Sequence, residues 1–110
     1  MKKRLILYYG ADEDESDHDI ARHFHLLINF AEMLGQDHPY QLYADRGKPQ
    51  DELQKAIDEC RETGNYLLCY DLNSLCPDKQ QALDIIDALS EEMLFVMFVD
   101  DESTLKTIQG

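Results

Sequence analysis

The sequence predicts an α/β domain: a three-layer α/β/α sandwich around a four-stranded, mostly parallel sheet. Three observations predict it. Four short apolar runs, at 5–9, 40–44, 66–70 and 94–99, have the length and character of buried strands. The first breaks at Gly10 into Asp12, Glu13, Asp14, Glu15, Asp17 and Asp19, and the others end at Asp45, Asp71 and Asp100. Segments with apolar residues at helical spacing separate the runs, so the element order reads β-α-β-α-β-α-β. At 110 residues the chain can build one core and not two, and a single domain over 1–110 is expected. Right-handed crossovers place helices on both faces, and 2-1-3-4 is the natural strand order for so short a chain. Functional residues then belong at the carboxyl ends of the strands.

Each element has a local reason. After Gly10, a helix can be capped by Ser16, Asp17 or Asp19, and acidic residues in its first turn suit the helix dipole. Ile20, Phe24, Leu27, Ile28, Ala31 and Leu34 form its apolar face, and Gly35 ends it in the left-handed conformation. A short polar loop, 36–39, leads to the second strand. The loop Asp45-Arg46-Gly47-Lys48-Pro49 follows, and a second helix is expected to begin near Pro49, burying Leu53, Ala56, Ile57 and Cys60. Thr63-Gly64-Asn65 stops it. The third strand ends at Asp71, and Asn73-Ser74-Leu75-Cys76-Pro77 turns into a third helix with Ala82, Leu83, Ile86, Leu89 and Met93 inward. The final strand is apolar at every position, which predicts a central strand covered on both faces. Beyond it, Leu105 and Ile108 could add one helical turn.

Charge narrows the function. Twenty-three acidic and ten basic residues give a net charge of −13, and Lys2, Lys3 and Arg4 supply three of the ten. From Leu5 onward the surface is strongly negative. Such a surface repels nucleic-acid phosphates and favours basic partners or cations. No run is long enough to span a bilayer, and Lys2, Lys3 and Arg4 precede only five apolar residues with no small-residue cleavage site, so a cytoplasmic protein is expected. Cys60, Cys69 and Cys76 form no CxxC pair and leave one thiol over, which argues against a disulfide framework or zinc knuckle.

Several residues could carry chemistry. Asp12, Asp14, Asp71, Asp100 and Asp101 follow the first, third and fourth strands and would share one edge, where carboxylates could hold Mg²⁺. A magnesium enzyme would also need a phosphate grip. The edge has neither a Gly-rich loop nor a Lys or Arg after the last strand. A phospho-acceptor domain could use Asp12 and Asp71, but Lys106 lies too far beyond the last strand to serve it. Cys76, at a predicted helix start, could be an activated nucleophile, yet no histidine or arginine stands nearby in sequence. His18, Arg22 and His25 share one face of the first helix, His23 lies on the margin of its apolar stripe, and Asp14 with His18 could form a metal pair. His38 is a loop residue without an evident partner. Tyr8, Tyr9, Tyr40, Tyr43, Tyr66 and Tyr70 are expected at core edges, with a minority able to anchor an interface.

The order of elements, the tyrosine closing the first strand, the long first helix, the Asp-then-Gly loop after the second strand and the Asp ending the third together resemble the catalytic domain of serine recombinases, the resolvase and invertase family. The likeness covers roughly residues 5–101. It implies a prokaryotic or phage protein of resolvase-like fold. In that family the first strand leads into Tyr-x-Arg-x-Ser, with the serine attacking DNA, and Asp-Arg-x-x-Arg follows the third. Here the matching stretches are Tyr8-Tyr9-Gly10-Ala11-Asp12 and Asp71-Leu72-Asn73-Ser74-Leu75. Only Tyr8 and Asp71 carry over. Without the nucleophile and the phosphate-binding arginines, the resemblance implies a recombinase fold that has lost its reaction.

Three functions remain open on sequence. The favoured one is a non-catalytic binding or regulatory module, an antagonist or immunity-type protein engaging a basic protein partner. The alternative is a Mg²⁺-dependent enzyme or phospho-acceptor domain using the acidic edge. A homo-oligomer with a structural role is the third.

Overall fold

The structure of the protein, a computed structural model, describes residues 4–36, 40–100 and 102. Its elements are β1 (Leu5–Ala11), α1 (Asp17–Met33), β2 (Gln41–Arg46), α2 (Asp51–Thr63), β3 (Tyr66–Cys69), α3 (Leu72–Leu75), α4 (Lys79–Glu91) and β4 (Val96–Phe98). The four strands form one all-parallel sheet in the order β2-β1-β3-β4, the order expected for so short a chain.

Alternation along β1 assigns its side chains to two cores. Ile6 and Tyr8 join Leu67, Cys69 and Phe98 beneath Leu53, Ala56, Ile57 and Cys60 of α2, Leu72 and Leu75 of α3, and Ala82 and Leu89 of α4. Leu5, Leu7, Tyr9 and Ala11 join Leu68 beneath Leu27 and Ala31 of α1. Three helices thus cover one face and a single helix covers the other. Ile20, Phe24 and Ile28 of α1 pack at the margin of the second core, together with Tyr70, Met97 and Val99 on the far side of the sheet.

The structure corrects the sequence reading at several points. β1 runs through Gly10 to Ala11, because Gly10 and Ala11 pair with Asp45 and Arg46 of β2. β2 likewise extends to Arg46, whereas β3 stops at Cys69 and β4 spans only Val96–Phe98. β4 lies at the sheet's edge and is not a central strand: Phe95 beside it is 45% exposed and its ring packs edge-on against Tyr66. α3 is an additional turn of helix where the sequence reads as loop. α2 begins at Asp51, beyond Pro49. The Asp45 carboxylate explains this start, since it accepts the N–H groups of Glu52 (3.1 Å) and Leu53 (2.9 Å) from the end of β2, in place of a local cap.

Helix ends account for the remaining differences. Ser16 is the residue that caps α1, its hydroxyl accepting the Asp19 N–H, and Gly35 follows the helix at φ 81°. Leu34 is partly exposed rather than inward. Leu83 and Ile86 of α4 are only half-buried, and Met93 is 71% exposed beyond the helix end. Met93 takes φ 63°, a conformation costing a non-glycine residue about 1–2 kcal/mol. It brings the Leu94 N–H onto the Leu89 carbonyl and buries the Leu94 side chain, a gain of about 2 kcal/mol that offsets the strain. His38, Leu105, Lys106 and Ile108 lie outside the described residues.

Candidate functional site

Tyr8 and Tyr9 are consecutive and point to opposite faces of the sheet, and each hydroxyl donates to a carboxylate at the carboxyl edge. On the α2 side, Tyr8 Oη donates to Asp45 Oδ2 at 2.9 Å and accepts from Gln50 Nε2 at 3.0 Å. Gln50 Nε2 also donates to the Leu75 carbonyl at 3.0 Å. One fully buried phenol therefore joins β1, β2, the start of α2 and the end of α3. Burial pushes the Tyr8 phenol well above its ordinary range, and Asp45 adds to the shift.

On the α1 side, Tyr9 Oη donates to Glu15 Oε2 at 2.6 Å and lies 2.8 Å from His23 Nδ1. His23 Nδ1 is also 3.2 Å from Glu15 Oε2. A carboxylate only accepts, so Nδ1 is the protonated nitrogen when it faces Glu15. The imidazole stacks on Tyr9 with centroids 5.0 Å apart and tilts against Tyr70 at 4.6 Å. Side-chain exposures of 15% for His23 and 14% for Glu15 hold this pair largely out of solvent. Burial raises the Tyr9 phenol, with Glu15 reinforcing the shift.

The residue after these tyrosines is fixed sterically. Asp71 caps α3 through a reciprocal pair of bonds: its Oδ1 accepts the Ser74 N–H at 2.8 Å, and its own N–H donates to Ser74 Oγ at 3.0 Å. The helix turn so formed lays the Ser74 carbonyl over β1. A Cβ on Gly10 would stand 2.5 Å from that oxygen and 3.0 Å from Tyr8 Oη. Only glycine fits there.

Beside Gly10 a cleft of about 290 Å³ opens where the exits of β1 and β2 meet the turn between α3 and α4. Asp12 and Glu13 line it from the loop after β1, Lys48 and Gln50 from the loop between β2 and α2, and Pro77 from the turn. The Gly47 N–H donates to the Ala11 carbonyl at 2.9 Å and ties the two exit loops together. Gly47 itself stands at φ 69°, where a side chain would be strained and would press on Glu13.

The expected site residues share this edge in different capacities. Asp12 and Asp14 are exposed on the loop after β1, and Asp71 and Asp100 are half-buried after β3 and β4. Asp101 lies outside the described residues. One oxygen of Asp71 is taken up by the α3 cap. Among the described residues no three His, Cys, Asp or Glu side chains are grouped so as to hold a metal ion. His18, Arg22 and His25 are exposed on α1. Cys76 is buried at the end of α3 and not at the start of α4, which Asp78 caps. Burial pushes the Cys60 thiol up to about 12 and the Cys69 thiol well above its ordinary range, so neither is an activated nucleophile.

Sequence reasoning missed the two networks. Tyr8 and Asp45 are 37 residues apart, and Tyr9 and His23 are 14 apart, so only the strand pairing and the packing of α1 bring them together. The marginal position of His23 on the apolar stripe was the one available signal. No helix among the described residues is long and apolar enough to cross a membrane. No protein-family model matches the chain, and no curated protein matches it in sequence.

Proposed function

We propose that this protein is a non-catalytic binding or regulatory module, of antagonist or immunity type, that engages a basic surface of a protein partner through the acidic carboxyl edge of its sheet. The observation that carries the reading is the closure around Gly10. On the recombinase resemblance this position corresponds to a phosphate-binding arginine, and here the Ser74 carbonyl occupies the space where any side chain would start. Asp12 stands where that family has its nucleophilic serine, and its charge repels a scissile phosphate. Tyr8, which also matches, has its hydroxyl tied to Asp45 and Gln50. The matched positions thus serve to hold the fold together.

The same edge presents negative charge to solvent. Asp12, Glu13 and Asp14 are exposed in succession, and Arg46 nearby answers Asp17 instead, at 2.6 Å. Exposed like charges steer a cationic partner and fall in effect with salt. Calorimetric titration with an arginine-rich peptide tests the reading: saturable binding that weakens as salt rises supports it. Relaxation or nicking of supercoiled plasmid by the purified protein, lost on Asp12→Ala, would overturn it in favour of an enzyme.

A further inference from the structure

We propose that the cleft between the exits of β1 and β2 binds a small guanidinium zwitterion, with the cationic head against Asp12 and Glu13 and the carboxylate against Lys48. The cleft shares Asp12 and Glu13 with the rim proposed to engage a basic protein, and Lys48 is what sets its ligand apart. Open α/β sheets hold their ligands at the carboxyl edge, and this cleft, about 290 Å³, lies there.

Its lining has the charge pattern of a zwitterion's complement. Asp12, Glu13 and Lys48 face one cleft, yet among the described residues none of their side chains makes an ion pair or hydrogen bond, although Arg46 nearby finds Asp17. A lone cation would meet repulsion from Lys48, and a lone anion would meet it from two carboxylates. Gln50 adds direction. Both hydrogens of its amide are used, on Tyr8 Oη and the Leu75 carbonyl, so it can offer a ligand only an acceptor. Two carboxylates and an amide oxygen suit a planar head that presents only donors, which is the guanidinium group. Glycines at 10 and 47 keep side-chain bulk out of the walls.

The test is an amide-resolved NMR titration of the full chain at constant ionic strength with L-arginine, agmatine, which has the same head without the carboxylate, and acetate. The expected result is saturable shifts centred on Gly10, Glu13 and Gly47 with L-arginine, and binding of agmatine and acetate at least about tenfold weaker. Lys48→Gln should weaken L-arginine and strengthen agmatine, so that the preference between them is lost, and Asp12→Asn should weaken both. Agmatine binding as tightly as L-arginine would overturn the proposal, as would L-arginine shifts spread over the acidic residues of α2 and α4. Absence of any saturable shift would overturn it too.

Discussion

Tyr8 and Tyr9 are the same residue type, adjacent on one strand, each donating to a carboxylate at the same edge of the sheet. Their surroundings differ. Tyr8 is sealed under three helices and its carboxylate, Asp45, also holds two backbone N–H groups at the start of α2. Tyr9 lies under one helix, and its carboxylate, Glu15, belongs to the exposed loop after β1 and shares its proton donors with an imidazole. The difference shows that the two faces of the sheet have different duties. The α2 face fixes the strand exits, and the α1 face is where the acidic loop is anchored.

The comparison can be broken by mutation. Asp45→Ala removes a helix cap and leaves the buried Tyr8 hydroxyl without its acceptor, and a loss of about 3 kcal/mol is expected in urea unfolding. Gly10→Ala drives a Cβ into the Ser74 carbonyl, and the shift of α3 that relieves it should cost about 2–3 kcal/mol on the same scale. Tyr8→Phe leaves one hydrogen of the Gln50 amide without its acceptor and removes a donor from Asp45, and should cost about 2 kcal/mol, against about 1 kcal/mol for Tyr9→Phe, where Glu15 keeps His23 as a donor. Equal losses for the two phenylalanine variants would erase the distinction between the faces.

Alkaline unfolding sharpens the same point with a smaller effect. Both phenols are raised above their unfolded value of 10.0, so their contribution is fully present below pH 10 and is lost as pH rises above it. Cys60, raised from 9.0 to about 12, adds a loss that begins near pH 9. The melting temperature should therefore fall from pH 9 upward, and each Tyr→Phe variant should flatten the fall above pH 10. An unchanged slope in both variants would show that neither phenol is protected.

Much of the fold was legible because its signals are local. Leu53, Ala56, Ile57 and Cys60 repeat at helical spacing, and all four are buried on α2. The strand order 2-1-3-4 was the natural expectation for so short an α/β chain, and the sheet has it. The edge position of β4 was hidden by its composition: six consecutive apolar residues read as central, although Met97 and Val99 lie only half-buried on the face that α1 leaves open. The start of α2 was hidden by distance, since its cap comes from Asp45 on the preceding strand rather than from a neighbour. The acidic residues of the edge were visible in the sequence, whereas the steric closure at Gly10 depends on the Ser74 carbonyl, 64 residues away, and no local pattern reports it.

Asp45 and Glu15 behind the two tyrosines hold the fold, whereas the side chains of Asp12, Glu13 and Asp14 make no hydrogen bond or ion pair among the described residues, so this exposed rim is the part the proposed binding would use. The most direct test compares two variants of equal net charge. One neutralises the rim (Asp12→Asn, Glu13→Gln, Asp14→Asn), and the other neutralises exposed acids on α2 and α4 (Glu62→Gln, Asp87→Asn, Glu91→Gln). Each is titrated calorimetrically with the same arginine-rich peptide at one salt concentration. The rim variant is predicted to lose at least about tenfold in affinity while the second stays close to the parent protein. Equal losses would contradict the account, because binding would then follow total charge rather than the carboxyl edge.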